Sequence, residues 1–132
     1  MVKLLLISNS TNAGEAYLEH PKEEIKKFLG NVKKVLFLPW AAVTYSYDEY
    51  ERKVQARFSE FGVEVDSIHH YRNTKLAIQE AEAIVVGGGN TFKLLKTIQQ
   101  HDIIETVRSK VLSGTPYIGW SAGANVACPT VC

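Results

Sequence analysis

Cysteine is scarce in this chain: Cys128 and Cys132 are the only two, four positions apart in a sequence of 132 residues. They cannot build a disulfide framework, and no further ligands cluster beside them to complete a zinc site. A pair of reduced thiols, as in cytoplasmic proteins, is the expectation. Long apolar runs are missing too. The run Leu4-Leu5-Leu6-Ile7 is too short for a secretory signal and lacks a cleavage pattern after it. Nothing approaches the ~18 apolar residues of a membrane span. Without a signal, the sequon Asn9-Ser10-Thr11 is expected to stay unmodified. An excess of either charge is absent as well. Fifteen basic residues against 14 acidic ones leave a formal charge of +1, so no global field draws the chain to nucleic acid or to a membrane surface. There are no repeats, low-complexity tracts or linkers. Hydrophobic residues at 45% and charged residues at 22% exclude disorder, collagen-like structure and a coiled coil. The length suits one domain covering 1–132.

What is present is alternation. Short apolar runs occur at Val2 to Ile7, at Val35-Leu36-Phe37-Leu38 before Pro39, at Val63, Val65 and Ile68, at Ile84-Val85-Val86 before three glycines, and at Tyr117-Ile118. Runs without polar alternation suit strands buried on both faces of a parallel sheet. Between them lie helical stripes. Tyr47, Tyr50, Val54, Phe58 and Phe61 share one face; so do Leu18, Ile25, Phe28 and Leu29; Phe92, Leu94, Leu95 and Ile98 follow Asn90 as N-cap; and Ile103, Ile104, Val107 and Val111 form another stripe. Asn73 is the expected cap of a short helix over 74–81. Strand and helix alternating in this way predict an open, mostly parallel α/β sheet with helices on both faces. The apolar stripes themselves are read as core.

Sites in such sheets gather outside the carboxyl ends of the strands. That selects the loops at 8–14, 39–45, 69–73, 87–90 and 120–124. The same logic puts His20, His69 and His70 at or near the site edge, and expects His101, between two helices, at the opposite one. The sharpest signal is Gly119-Trp120-Ser121-Ala122-Gly123, a G-x-S-x-G pattern between an apolar strand and the small-residue helix start Ala122-Gly123-Ala124-Asn125. That context lifts a serine hydroxyl into the open and sets a helix N-terminus beside it, where negative charge would develop. A tight glycine turn with an incidental serine is the plain alternative. Gly87-Gly88-Gly89-Asn90-Thr91 is the second signal. Its glycines free backbone N–H groups to point into the site, but it lacks the spacing of nucleotide-binding loops. Beside Ser121 it reads as an oxyanion element, with the N–H of Ala122 as first donor and that of Gly89 as second; a structural turn remains the alternative. His69-His70 are candidate bases or ligands against a plain solvated pair. Asp48 and Glu49 read as helix-start cap and dipole partner. Trp40 and Tyr45 are pocket-lining or core.

With both glycine motifs in place, the sequence resembles peptidase E, the α-aspartyl dipeptidase family of serine peptidases. The segments Leu4-Leu5-Leu6-Ile7-Ser8-Asn9-Ser10-Thr11, Pro39-Trp40-Ala41-Ala42-Val43-Thr44 and Ala127-Cys128-Pro129-Thr130 also look like family segments, so the resemblance covers essentially the whole chain. It implies a flavodoxin-like, class I glutamine amidotransferase-like fold. It further implies a cytoplasmic enzyme with no metal and no cofactor, acting on Asp-X dipeptides. Ser121 matches the nucleophile, Gly89 and Ala122 the oxyanion donors, and Asn90 a substrate contact.

The chain departs from the family pattern after Ser121, since eleven residues follow it. In the family the catalytic histidine, its acidic partner and the basic residue that selects the substrate's aspartate come later. The C-terminal part of the fold is therefore expected to be missing, and hydrolysis lost or strongly reduced. His69 or His70 as a rescue base would have to come within ~3 Å of the hydroxyl. The alternative is a non-catalytic binding or self-associating module, with a homodimer covering the truncated edge; a cyanophycinase-like peptidase is a lesser one.

Overall fold

The computed structural model describes residues 3–7 and 22–127. In chain order these form β1 (Leu4–Ile7), α1 (Lys22–Leu29), β2 (Lys34–Leu38), α2 (Tyr47–Phe58), β3 (Glu64–Ser67), α3 (Thr74–Gln79), β4 (Ile84–Val86), α4 (Thr91–Gln100), α5 (Ile104–Leu112), β5 (Tyr117–Trp120) and α6 (Ala122–Asn125). The five strands make one sheet in the order β1-β5-β4-β2-β3, and every pairing is parallel.

The unbroken apolar runs have a direct cause. Along β2, Val35 and Phe37 pack with Ile25, Leu29, Tyr50, Val54 and Phe58 of α1 and α2. Their neighbours Leu36 and Leu38 pack on the other face with residues of α3, α4 and α5, among them Ile78, Leu94 and Val107. Successive side chains of a strand point to opposite faces, so a strand covered on both sides is apolar at every position. The expected doubly covered sheet is thus the observed one.

The helices are shorter than their stripes. The Tyr47 stripe is α-helical only to Phe58; a 3-10 turn over Ser59–Phe61 follows and ends on Gly62 with φ 74°. The stripe around Ile25 begins at Lys22 among the described residues, and Leu18 lies outside them. Phe92, grouped by sequence with the buried stripe of α4, is 84% exposed, whereas Leu94 and Ile98 are buried.

One placement reverses the expectation from sequence. Lys75, near the start of α3, pairs with Asp102 just before α5 at 3.4 Å. At the other end, Lys110 of α5 donates to the Gln79 carbonyl at the end of α3 at 2.5 Å. The two helices therefore run in the same direction, both starting at the carboxyl edge of the sheet. A single descent is all that is needed between parallel β4 and β5, and α5 makes it; α4 stays near the carboxyl edge. His101 accordingly lies at that edge, not the opposite one. Its ring stacks on Trp40, the second residue after β2, with centroids 4.6 Å apart and planes 6° apart.

Candidate active site

Ser121 stands where β5 gives way to α6. Its backbone has φ 52° and ψ −115°, a conformation a non-glycine residue adopts only where its surroundings enforce it. The surroundings are visible. The Ser121 N–H donates to the Ile7 carbonyl of β1 at 2.9 Å, and the Ser121 carbonyl accepts from Asn125 N–H at 2.9 Å. Trp120, directly before it, is fully buried and stacks on Phe37 at 6.2 Å. The turn after it needs Gly123, where any Cβ would run into the Val86 carbonyl of the neighbouring strand. The G-x-S-x-G spacing is therefore a packing requirement as well as a chemical signature.

The second glycine motif lies beside this turn, since β4 and β5 are adjacent. A Cβ on Gly88 would fall 2.8 Å from the Ser121 Cβ, so the loop backbone is pressed against the serine. Gly89 has φ 139°, and a Cβ there would collide with the Ala41 carbonyl. Asn90 N–H donates to the same Ala41 carbonyl at 2.8 Å. The Asn90 side chain caps α4 by accepting from Lys93 N–H at 2.9 Å, which gives it a structural task. Ala122 is the first residue of α6, and amides of a first helical turn have no intrahelical acceptor. The helix has only four residues, so any anion stabilisation here comes from individual N–H groups rather than from a long helix dipole.

Two side chains hold this loop cluster together: Tyr50, which sequence reading left as core, and Lys93, which it passed over. Tyr50 of α2 is buried; its hydroxyl donates to the Gly88 carbonyl at 3.2 Å and accepts from Trp120 Nε1 at 3.1 Å. It thus ties the glycine loop to the residue before Ser121. Lys93 donates from Nζ to the carbonyls of Trp40 (3.1 Å) and Ala42 (2.7 Å) and to the Tyr47 hydroxyl (2.8 Å). That locks the loop after β2, whose Ala41 abuts Gly89. A signal for Lys93 exists in the sequence: a cation in a helix's first turn opposes the helix dipole and needs another reason to be there.

The remaining candidates fall elsewhere. Trp40 is buried in the core, and Tyr45 sets its edge against Tyr50 at 5.0 Å, with burial holding the Tyr45 phenol above its ordinary pKa. His20 and both cysteines lie outside the described residues. His69 and His70 follow β3, three strand positions from β5, which is ~14 Å at the usual strand spacing. They are engaged there: His69 Nε2 meets Asp48 Oδ1 at 2.7 Å and His70 Nε2 meets Glu51 Oε1 at 2.8 Å. The fold does not bring either one to Ser121. Asp48 is also not the cap of α2. That task falls to Ser46, whose Oγ accepts from Glu49 N–H at 3.1 Å. The hydrogen bond from His69 holds Asp48 below the usual carboxylate range, and the bond to Glu51 raises His70 above the usual imidazole value.

The family model "Peptidase family S51" matches residues 4–132. The chain is 53% identical over 130 residues to the peptidase E of Nostoc sp. (strain PCC 7120), an alignment covering 98% of this chain and 54% of that protein. It is 43% identical over 129 residues to the peptidase E of Haemophilus influenzae, covering 96% of this chain and 59% of the relative. The chain thus spans little more than half the length of these curated relatives. Among solved structures, that of a peptidase from an acI-B1 Actinobacterium aligns with a TM-score of 0.74 over 96% of this chain and 57% of that one; at 20% identity the likeness is one of fold. No helix among the described residues is long and apolar enough to cross a membrane.

Proposed function

The chain belongs to peptidase family S51, and from that premise we propose that Ser121 is the nucleophile of a serine-type hydrolase of dipeptides with an N-terminal aspartate. The observation that carries this reading is the enforced backbone of Ser121 at a strand-to-helix turn, with φ 52° and ψ −115° and the Gly88 loop pressed against its Cβ. The relatives' name, peptidase E, supplies the reaction class, and the resemblance supplies the aspartyl substrate and a cytoplasmic setting.

In this reaction the Ser121 Oγ attacks the scissile carbonyl carbon, and the carbonyl oxygen becomes an oxyanion. The N–H groups of Gly89 and Ala122 receive it. They flank the serine, one on the loop held by Ala41, Tyr50 and Lys93, the other at the start of α6. A preorganised pair of donors is worth most when the oxyanion forms. The oxyanion then collapses, the C–N bond breaks and the amine leaves with the proton taken from the serine; water next attacks the acyl-enzyme ester, releasing the aspartyl acid and restoring the Ser121 hydroxyl. The attacking hydroxyl must give up its proton to a base, because a serine hydroxyl is a poor nucleophile at neutral pH. The histidine and acid implied by the resemblance belong to the part of the relatives that these 132 residues do not span, and His69 and His70 do not replace them. In serine hydrolases, removing that base costs on the order of a million-fold in kcat, while oxyanion donors and binding retain on the order of a thousand-fold over water.

The test is turnover of an Asp-X dipeptide by the pure chain beside Ser121→Ala. A slow rate that disappears in the variant is expected; equal rates for both proteins would remove Ser121 from the chemistry. A self-associating module is the second reading. Leu6, on β1, an outer strand among the described residues, is 44% exposed, an apolar residue that a second copy would cover.

A further inference from the structure

Away from Ser121, four side chains with metal-binding atoms meet where α2 begins and β3 ends. They are Asp48 and Glu51 of α2 and the consecutive His69 and His70 in the 3-10 turn Ile68–His70. One ligand atom from each lies within 4.8 Å of every other. The sequence separates the pairs by about twenty residues, but each pair is suited to converge. Asp48 and Glu51 are three apart on a helix and share a face. The histidine rings lie 4.0 Å apart at 36° to one another, and both turn Nε2 toward α2.

We propose that Asp48, Glu51, His69 and His70 form a binding site for a divalent transition-metal ion of zinc-like chemistry, clipping the start of α2 to the end of β3. The donor set decides the class of ion. Two imidazoles and two carboxylates suit zinc, cobalt or nickel, and not magnesium or calcium, which take oxygen ligands. Tetrahedral zinc with bonds of ~2.0–2.2 Å spaces its ligand atoms ~3.4 Å apart. The two N···O contacts, now 2.7 and 2.8 Å, would open by ~0.6–0.7 Å and the wider spacings would close. Asp48 and His70 have side chains 65% and 50% exposed, so they are free to rotate and the ion has a path in from solvent.

Supporting bonds on the outer atoms of Glu51 and His69 are the independent observation. Metal-bound histidines and carboxylates are held by partners on their other atoms. Glu51 turns Oε2 to the Ser67 N–H at 3.1 Å and leaves Oε1 to the site. His69 is bonded through Nδ1 to the Oγ of fully buried Ser67, and Tyr47 sets an edge on the same ring at 5.6 Å. Before metal binding, the neutral tautomer that satisfies both contacts carries its proton on Nε2, donated to Asp48, and accepts from Ser67 at Nδ1. On binding, the ion takes the Nε2 lone pair, the proton moves to Nδ1, and Nδ1–H donates to the Ser67 oxygen. No net proton is lost from a neutral imidazole. The ion stands three strand positions from Ser121 and takes no part in peptide hydrolysis, so the resemblance to a metal-independent peptidase is not contradicted.

The test is a cobalt titration of the chain carrying Cys128→Ser and Cys132→Ser, which removes thiolate ligands. One equivalent of Co2+ with the visible absorption of a tetrahedral ion is expected, displaced by Zn2+. His69→Gln/His70→Gln should weaken binding ~100-fold or more and Ser67→Ala ~10-fold. Zinc should raise the melting temperature of the parent and not of the histidine variant, and Ser121→Ala should bind as the parent does. Absence of the cobalt signal, or binding unchanged in the histidine variant, overturns the proposal. Should that variant fail to fold by circular dichroism, Asp48→Asn/Glu51→Gln keeps both rings, and unaltered affinity there overturns it equally.

Discussion

At the scale of single residues, the candidate active site depends on groups that do no chemistry. Gly89 has a φ of 139° and its backbone lies against the Ala41 carbonyl. Gly89→Ala combines a forbidden conformation with a collision and should destabilise the fold by on the order of 3 kcal/mol, read as a lower denaturant midpoint at unchanged slope. Tyr50→Phe keeps the ring between Phe37 and Tyr45 but deletes the hydroxyl that joins the Gly88 carbonyl to Trp120 Nε1. Two buried polar atoms would lose a partner, at a cost of ~1–3 kcal/mol. Urea unfolding followed by tryptophan fluorescence measures it; a loss below a few tenths of a kcal/mol would show that the hydroxyl is dispensable. The turn at Ser121, the proposed nucleophile, was legible from G-x-S-x-G in its strand–turn–helix setting. Tyr50 was legible only as an apolar stripe member, because helical spacing shows that a tyrosine faces the core and not what its hydroxyl meets there.

At the scale of elements, α4 is the part whose role changed most between sequence and structure. Its existence and its cap at Asn90 follow from local pattern, and the structure has both. Its direction does not, because β4 and β5 are joined by two helices and only one net descent is required. The contacts of α5 with α3 assign the descent to α5. Lys93 then fastens α4 to the loop after β2 through three acceptors. Lys93→Met keeps the stem and removes the donors. It should cost ~1.5–3 kcal/mol, the range for hydrogen bonds to a charged group. Faster hydrogen exchange at Asn90, whose N–H bonds to Ala41, would mark the loosening; unchanged protection would confine Lys93 to the surface. For α2, the sequence offered Asp48 as cap. The hydroxyl of Ser46 takes that place, which leaves Asp48 to reach His69.

At the scale of the molecule, the strand order sets the distances that matter. β4 and β5 are neighbours, so the two glycine-bearing loops must meet; β3 lies three positions from β5, so the histidine pair cannot join them. The same order leaves β1 and β3 as the outer strands among those described. Strand edges with exposed apolar residues pair readily with other chains. Light scattering over a concentration series should show the average mass rise from one chain toward two, and Leu6→Lys should hold it at one. A constant single-chain mass for the parent would end the self-association reading.

By itself the sequence determined the parallel, doubly covered sheet, since strands apolar at every position have no other stable environment. It also determined the helix caps at Asn73 and Asn90, because these rest on contacts within three residues, and it marked the serine turn, whose backbone the neighbouring strands then enforce. Only the tertiary structure decided which loops stand side by side, that His101 shares the carboxyl edge with Trp40, and that Asp48, Glu51, His69 and His70 converge. Strand order and helix direction are set by packing among elements distant in the chain. Local periodicity reports which face of an element is buried, and carries no record of which neighbour buries it.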